Sequence, residues 1–173
     1  MRRFRNHGID SDHRSREAQG AHAYDMAELG FNYRLPDVQC ALGLAQLKRL
    51  SGWVAARQRI ATWYDEALAG VAEVMPLKTL KDRTNAHHLY VVKLAEHIDR
   101  DRAFARLRAE GIGANVHYAP VYLHSYYRKL GYAGGLAPVA EGVAKRILTL
   151  PMFPAMAQND VVRVTAALER AVA

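Results

Sequence analysis

Apolar positions are sparse and unevenly spaced over the first 29 residues, where Phe4, Ile9, Tyr24 and Met26 stand among Arg, His, Asp and Ser. That pattern predicts a loop or docking arm without a core of its own, and a chain that begins in mid-fold. Pro36 then occupies a first helical position, where its missing N–H costs nothing, and Asp37 suits the positive helix end. Val38, Ala41, Leu42, Ala45 and Leu47 to Leu50 extend a largely apolar stripe to Ser51-Gly52. Trp53, Ala56, Ile60, Trp63, Tyr64 and Ala67 resume it at helical spacing, and Gly70 is a C-terminal stop.

A second region follows Met75-Pro76. HLYVVKL, His88 to Leu94, has the length and Tyr/Val content of a buried strand. Asp99 caps a predicted helix that ends at Glu110-Gly111, and Ile112 to Tyr118 reads as another strand. An irregular Tyr-rich stretch from Ala119 to Gly135 precedes a predicted helix near Val139 to Leu148, the turn LPMFP, and a last helix from Asn159 or Asp160 to Val172. Strands alternating with helices predict an α/β architecture, a small sheet with helices packed on it. The pattern divides the chain into an arm (1–35), linking helices (36–70) and a small α/β domain (71–173), the helices bridging to a larger body outside the chain.

Composition narrows the function classes. The chain has 173 residues, 50% hydrophobic and 24% charged, which excludes collagen-like, low-complexity and wholly disordered readings. A formal charge of +7 favours an anionic partner, a phosphorylated small molecule, a nucleotide or a nucleic acid. The Arg-rich start Arg2, Arg3, Arg5 is interrupted by acids, and no nucleic-acid motif follows it. Neither a nucleic acid nor a membrane is an expected partner, since no apolar run approaches a membrane span. The single cysteine, Cys40, forms no internal disulfide and suits a cytoplasmic setting.

Two places carry candidate chemistry. In Gly30-Phe31-Asn32-Tyr33-Arg34-Leu35-Pro36 an amide and a guanidinium stand in a turn that feeds a helix start, a favourable place for an anion. An ordinary turn, with Asn32 bonding nearby backbone and Arg34 pairing with a carboxylate, accounts for the same residues. In Val116-His117-Tyr118-Ala119-Pro120 an imidazole and a phenol end a predicted strand, and Tyr122, His124, Tyr126 and Tyr127 follow as a candidate aromatic wall or as packing residues. His87 and His88 are adjacent, so on a strand they point to opposite faces and no metal site is expected. GxSxG, Walker and GxGxxG motifs are missing from the sequence.

FRNHGI, LGFNYRLPDVQCALGLAQLKRL, HHLYVVKL, GIGANVHYAPVYLHSYY and LTLPMFP, in that order and spacing, resemble the C-terminal portion of the DegT/DnrJ/EryC1/StrS sugar aminotransferases. Within that family the chain is most similar to the pseudaminic-acid branch. The resemblance implies the C-terminal small domain of a fold-type I pyridoxal 5′-phosphate (PLP) enzyme, preceded by long interface helices, with the large cofactor-binding domain mostly absent. It also implies a homodimer, or a complementing N-terminal half, that moves an amino group from glutamate to carbon 4 of a UDP-4-keto-6-deoxy amino sugar. By the same resemblance Asn32 reaches the cofactor phosphate of the other subunit, Arg34 supports that turn or meets substrate phosphate, and His117, Tyr118, Tyr122 and His124 line the sugar-nucleotide site.

The family's Schiff-base lysine lies upstream of the segment resembling FRNHGI. None of Lys48, Lys78, Lys81, Lys93, Lys129 or Lys145 occupies its context. Transamination needs that amine both as an imine to the cofactor and as a base, so the isolated chain is expected to be inactive and to contain no catalytic residue.

Overall fold

The computed structural model describes residues 1–20 and 22–173. They divide into two units, Met1–Arg49 and Leu50–Ala173.

The first unit pairs two extended segments. Asn6 bridges Asn32 and Ile9 bridges Met26 in antiparallel fashion. Between them runs a short helix, α1 (His13–Gln19), that the polar pattern did not predict. Its signals are local: the Asp12 carboxylate accepts from Ser15 N at 2.8 Å, and Gly20 ends it in the left-handed conformation at φ 63°. Helix α2 (Asp37–Leu47) starts after Pro36 as expected and buries no residue. Val38 is 82% exposed and Leu42 62%.

The second unit holds the core. Helix α3 (Leu50–Leu68) begins before Ser51-Gly52, so the predicted break falls instead at Lys48-Arg49, where Arg49 N turns back to Gln46 O at 3.0 Å. A glycine inside a helix costs about 1 kcal/mol, and burial of Ile60, Ala61, Tyr64 and Leu68 on the same helix outweighs it. Strands β1 (Val74–Pro76), β2 (Tyr90–Leu94) and β3 (Ile147–Leu150) form an antiparallel sheet in the order β1-β2-β3, with Val74 opposite Leu94 and Val92 opposite Leu148. Alternation along β2 buries Tyr90, Val92 and Leu94.

The structure departs from the sequence pattern at two segments. The helix predicted to Leu148 is α6 (Pro138–Ala144), and Ile147–Leu150 is β3, because all four residues are buried beside β2. A short continuous apolar run has no period with which to separate helix from strand. The strand predicted over Ile112–Tyr118 shrinks to one bridge, Asn115 to Thr149. Asn115 Oδ1 takes Val116 N at 2.8 Å and Ile112 O takes Ala114 N at 2.8 Å, so local bonds use the amides a longer ladder needs.

Helix α4 (Arg100–Ala109) is capped by Asp99, which accepts from Asp101 N and Arg102 N, and Gly111 follows at φ 72°. The Tyr-rich stretch contains a 3₁₀ turn (Val121–Leu123) and a short helix, α5 (Ser125–Lys129). Helix α7 (Gln158–Val172) buries Val161, Val164, Thr165, Leu168 and Val172, a stripe with the 3.6-residue period. Its first turn is closed by Asp160, which accepts from Ala157 N at 2.8 Å. Helices α3, α4 and α7 enclose one core with the sheet, centred on Tyr64, Leu94, Leu107, Leu148 and Leu168.

Candidate functional site

In the first unit the segments FRNHGI and GFNYR lie against each other. Phe31 N donates to Phe4 O at 2.7 Å, His7 N to Phe31 O at 3.0 Å and Tyr33 N to Arg5 O at 3.0 Å. The approach requires glycine: a Cβ on Gly8, at φ 71°, would stand 1.6 Å from Glu28 O, and one on Gly30 2.1 Å from Gly8 N. Phe4, Phe31 and Tyr33 gather their rings, with Phe31 stacked on Tyr33 at 5.1 Å. Asn32 and Arg34, two residues apart on extended backbone, alternate with those aromatics.

Arg34 Nη1 donates to Asn6 Oδ1 at 2.7 Å, so its partner is a neutral amide and not a carboxylate. A neutral acceptor leaves the guanidinium charge uncompensated and its remaining N–H groups available to an anion. A concavity of about 520 Å³ opens beside this bond, lined among others by Arg2, Arg5, Arg16 and Arg34. Among the described residues its acidic lining residue is Asp12, whose carboxyl is held below its ordinary value chiefly by the Ser15 backbone N–H. Asn32 is exposed and does not line the concavity.

In the second unit His117 and Tyr118 follow the single bridge to β3. His117 Nδ1 meets the Thr149 hydroxyl at 3.0 Å, and the His117 and Tyr118 rings stand edge to face at 4.6 Å. The peptide bond between them is cis, and the Tyr118 side chain is exposed. Tyr122 bonds within its own loop region. Its hydroxyl donates to Glu141 Oε1 at 2.6 Å, and the same oxygen takes Gly135 N at 2.7 Å. These bonds, Tyr122 first, hold the Glu141 carboxyl below its ordinary value, while desolvation and then Glu141 push the Tyr122 hydroxyl up. His124 is exposed at the start of α5, where its carbonyl accepts from Arg128 N at 3.0 Å.

The sequence reading missed Arg57. From α3 its Nη1 lies 3.0 Å from each of His87 O, His88 O and Met152 O, so one guanidinium ties HHLYVVKL to LPMFP. Tyr64, two turns further along the same stripe, donates to Pro151 O at 2.9 Å. An arginine in the apolar series Trp53, Arg57, Ile60, Tyr64 was the available signal. Beside it opens an apolar cleft of about 570 Å³ with Trp53, His88 and Phe153 in its wall. His87 stands at φ 47°, its N–H on Asn85 Oδ1, and burial lowers its imidazole pKa.

The DegT/DnrJ/EryC1/StrS aminotransferase family model matches residues 1–169. The chain belongs to that family. An uncharacterised protein of Methanocaldococcus jannaschii is 33% identical over 98% of this chain and 45% of its own length. A Streptococcus pneumoniae protein described as a sugar aminotransferase, solved in its PMP form, superposes with TM-score 0.79 at 25% identity, covering 99% of this chain and 43% of that one. Helicobacter pylori PseC, an aminotransferase of pseudaminic acid biosynthesis, shares the fold at TM-score 0.77 and 24% identity, over 99% of this chain and 44% of its own. The chain therefore spans less than half the length of the relatives it matches, and the match is to part of their fold.

The family implies PLP, and the residues present fit its phosphate. Four arginines face the concavity of the first unit with one carboxylate among them. Among the described residues the lining of that concavity includes no lysine.

Proposed function

We propose that this chain is the C-terminal portion of a PLP-dependent nucleotide-sugar aminotransferase. The complete enzyme moves an amino group from glutamate to carbon 4 of a UDP-4-keto-6-deoxy amino sugar in the cytoplasm, as in the pseudaminic-acid branch. The observation that carries the reading is the uncompensated Arg34 beside Asn32, held by the pairing of the two N-terminal motifs at the edge of an arginine-lined concavity. When bound, PLP supplies the electron sink for amino transfer.

The chain's own residues bind and orient. Asn32, outside the concavity, offers its amide N–H to the cofactor phosphate of the other subunit, and Arg34, on the concavity's wall, supports that turn or offers its remaining guanidinium donors to substrate phosphate. His117 and Tyr118 meet the sugar nucleotide from the strand end. Tyr122, whose hydroxyl donates to Glu141, and His124 line the sugar-nucleotide site beside them, the first fixing the loop that carries the second. The amine that the chemistry requires comes from the N-terminal half, so the isolated chain does not transaminate. The working molecule is a homodimer, or this chain with a complementing half, in keeping with a helix α2 that buries none of its apolar residues.

Calorimetric titration of the full chain with UDP-N-acetylglucosamine tests the substrate assignment. Binding that is weakened at least tenfold by Arg34→Ala or His117→Ala supports it, and binding unaffected by both substitutions rejects it. The exposed apolar face of α2 also favours a second reading, a noncatalytic dimerisation or nucleotide-sugar-binding module. Under that reading the sugar nucleotide binds, and addition of the N-terminal half yields no amino transfer.

A further inference from the structure

We propose that Thr149 is a positioning residue for His117, and that its hydroxyl holds the neutral imidazole with the proton on Nε2. The strand-end site then presents an N–H donor to an acceptor oxygen of its ligand. The tautomer stands on geometry alone, while its use by a sugar or phosphate oxygen rests on the nucleotide-sugar reading above.

Thr149 is the polar residue of the run Ile147–Leu150 and is 4% exposed. Its backbone is fully used in the bridge to Asn115: Thr149 N donates to Asn115 O at 2.8 Å, and Asn115 N donates to Thr149 O at 3.0 Å. Among the described residues the hydroxyl has one hydrogen-bond partner, His117 Nδ1, at 3.0 Å. That contact has two possible directions. If Nδ1–H donates, the hydroxyl proton of this 4%-exposed residue finds no acceptor among the described residues, and an unmade bond there carries a desolvation penalty. If the hydroxyl donates, both groups are satisfied, and Nδ1 must be the unprotonated nitrogen. A neutral imidazole with Nδ1 as acceptor carries its proton on Nε2. The bridge fixes the segment one residue before Val116, and the hydroxyl fixes the ring itself, so a two-point attachment to β3 orients the donor.

The test is ring-nitrogen NMR on the full chain labelled with ¹⁵N-histidine at pH 8, with His117 assigned by loss of its signals in His117→Gln. The expected result is a pyrrole-type Nε2 and a pyridine-type Nδ1 in the wild-type chain, retained in Thr149→Ser and replaced by a tautomer mixture in Thr149→Val. A wild-type ring protonated at Nδ1, or a Thr149→Val chain with the unchanged wild-type pattern, overturns the proposal. Should Thr149→Val fail to fold, Thr149→Ala removes the hydroxyl without a branched replacement and is read by the same criterion. In parallel, affinity for UDP-N-acetylglucosamine is expected to fall roughly two- to tenfold in Thr149→Val and to recover in Thr149→Ser. Absence of any sugar-nucleotide binding by the wild-type chain defeats the nucleotide-sugar reading and leaves the tautomer result standing.

Discussion

Replacing Arg57 by methionine isolates what its guanidinium does, since methionine keeps most of the aliphatic stem. Nη1 faces three carbonyls, His87 O, His88 O and Met152 O, each at 3.0 Å. One nitrogen carries two N–H groups, so two bonds are made at a time and the third is shared. Hydrogen bonds to a charged donor contribute about 1.5–3 kcal/mol each, and water reaching the partly exposed carbonyls recovers some of the loss, which places the cost near 2–4 kcal/mol. For a chain of this size the melting temperature should fall by roughly 4–16 °C. Thermal unfolding followed by circular dichroism measures the fall, and hydrogen exchange locates it. Protection should drop at residues 86–90 and 151–154 together, because one side chain ties both segments. Arg57→Lys should lose less, retaining a charge without the fork. A melting point within about 2 °C of wild type, or loosening of one segment alone, would refute the shared-clamp reasoning.

Gly8→Ala forces a Cβ onto the Glu28 carbonyl and should separate FRNHGI from GFNYR, read as loss of exchange protection at Ala27 N and Phe31 N with the second unit unchanged. Leu168→Ala, at a fully buried position, should cost about 2–5 kcal/mol in a urea titration, whereas Val162→Ala on the exposed face of the same helix should cost little. The clamp made by Glu141 on Tyr122 and Gly135 should be acid-sensitive. A carboxyl held below its ordinary value of 4.5 adds stability that is complete above that value and is lost as pH falls through the lowered pKa. Proteolysis within residues 121–141 should therefore rise at acid pH in the wild-type chain, whereas Glu141→Gln should already be susceptible at neutral pH and show no further acid step.

Legibility in the sequence followed how local the determining forces are. Helix α4 could be read to its ends because Asp99 and Gly111 supply cap and stop within the segment itself. Helix α7 announced itself by a buried stripe at helical period, and β2 by its Tyr/Val content. Ile147–Leu150 was misread because its strand character comes from pairing with a segment more than fifty residues away, and a run of four buried residues carries no period of its own. Ile112–Tyr118 was read as a strand, while the asparagine that ends the ladder acts through its side chain. The same division holds at the candidate sites. Asn32 and Arg34 were visible as a turn feeding a helix, but the amide partner Asn6 comes from another segment. His117 was visible at a predicted strand end, whereas Thr149, Glu141 and Arg57 matter through contacts no local pattern encodes.

Borohydride trapping asks whether the amine that serves the cofactor lies in the N-terminal half, as proposed for a chain that is the C-terminal part of a PLP aminotransferase. The purified chain is incubated with PLP, alone and with an N-terminal family half, then reduced and mapped by peptide mass spectrometry. The account predicts no specific lysine adduct in the isolated chain, and a single adduct on the N-terminal half in the mixture that weakens when Asn32 is replaced by alanine. A stoichiometric adduct at any of the six lysines of this chain would contradict it.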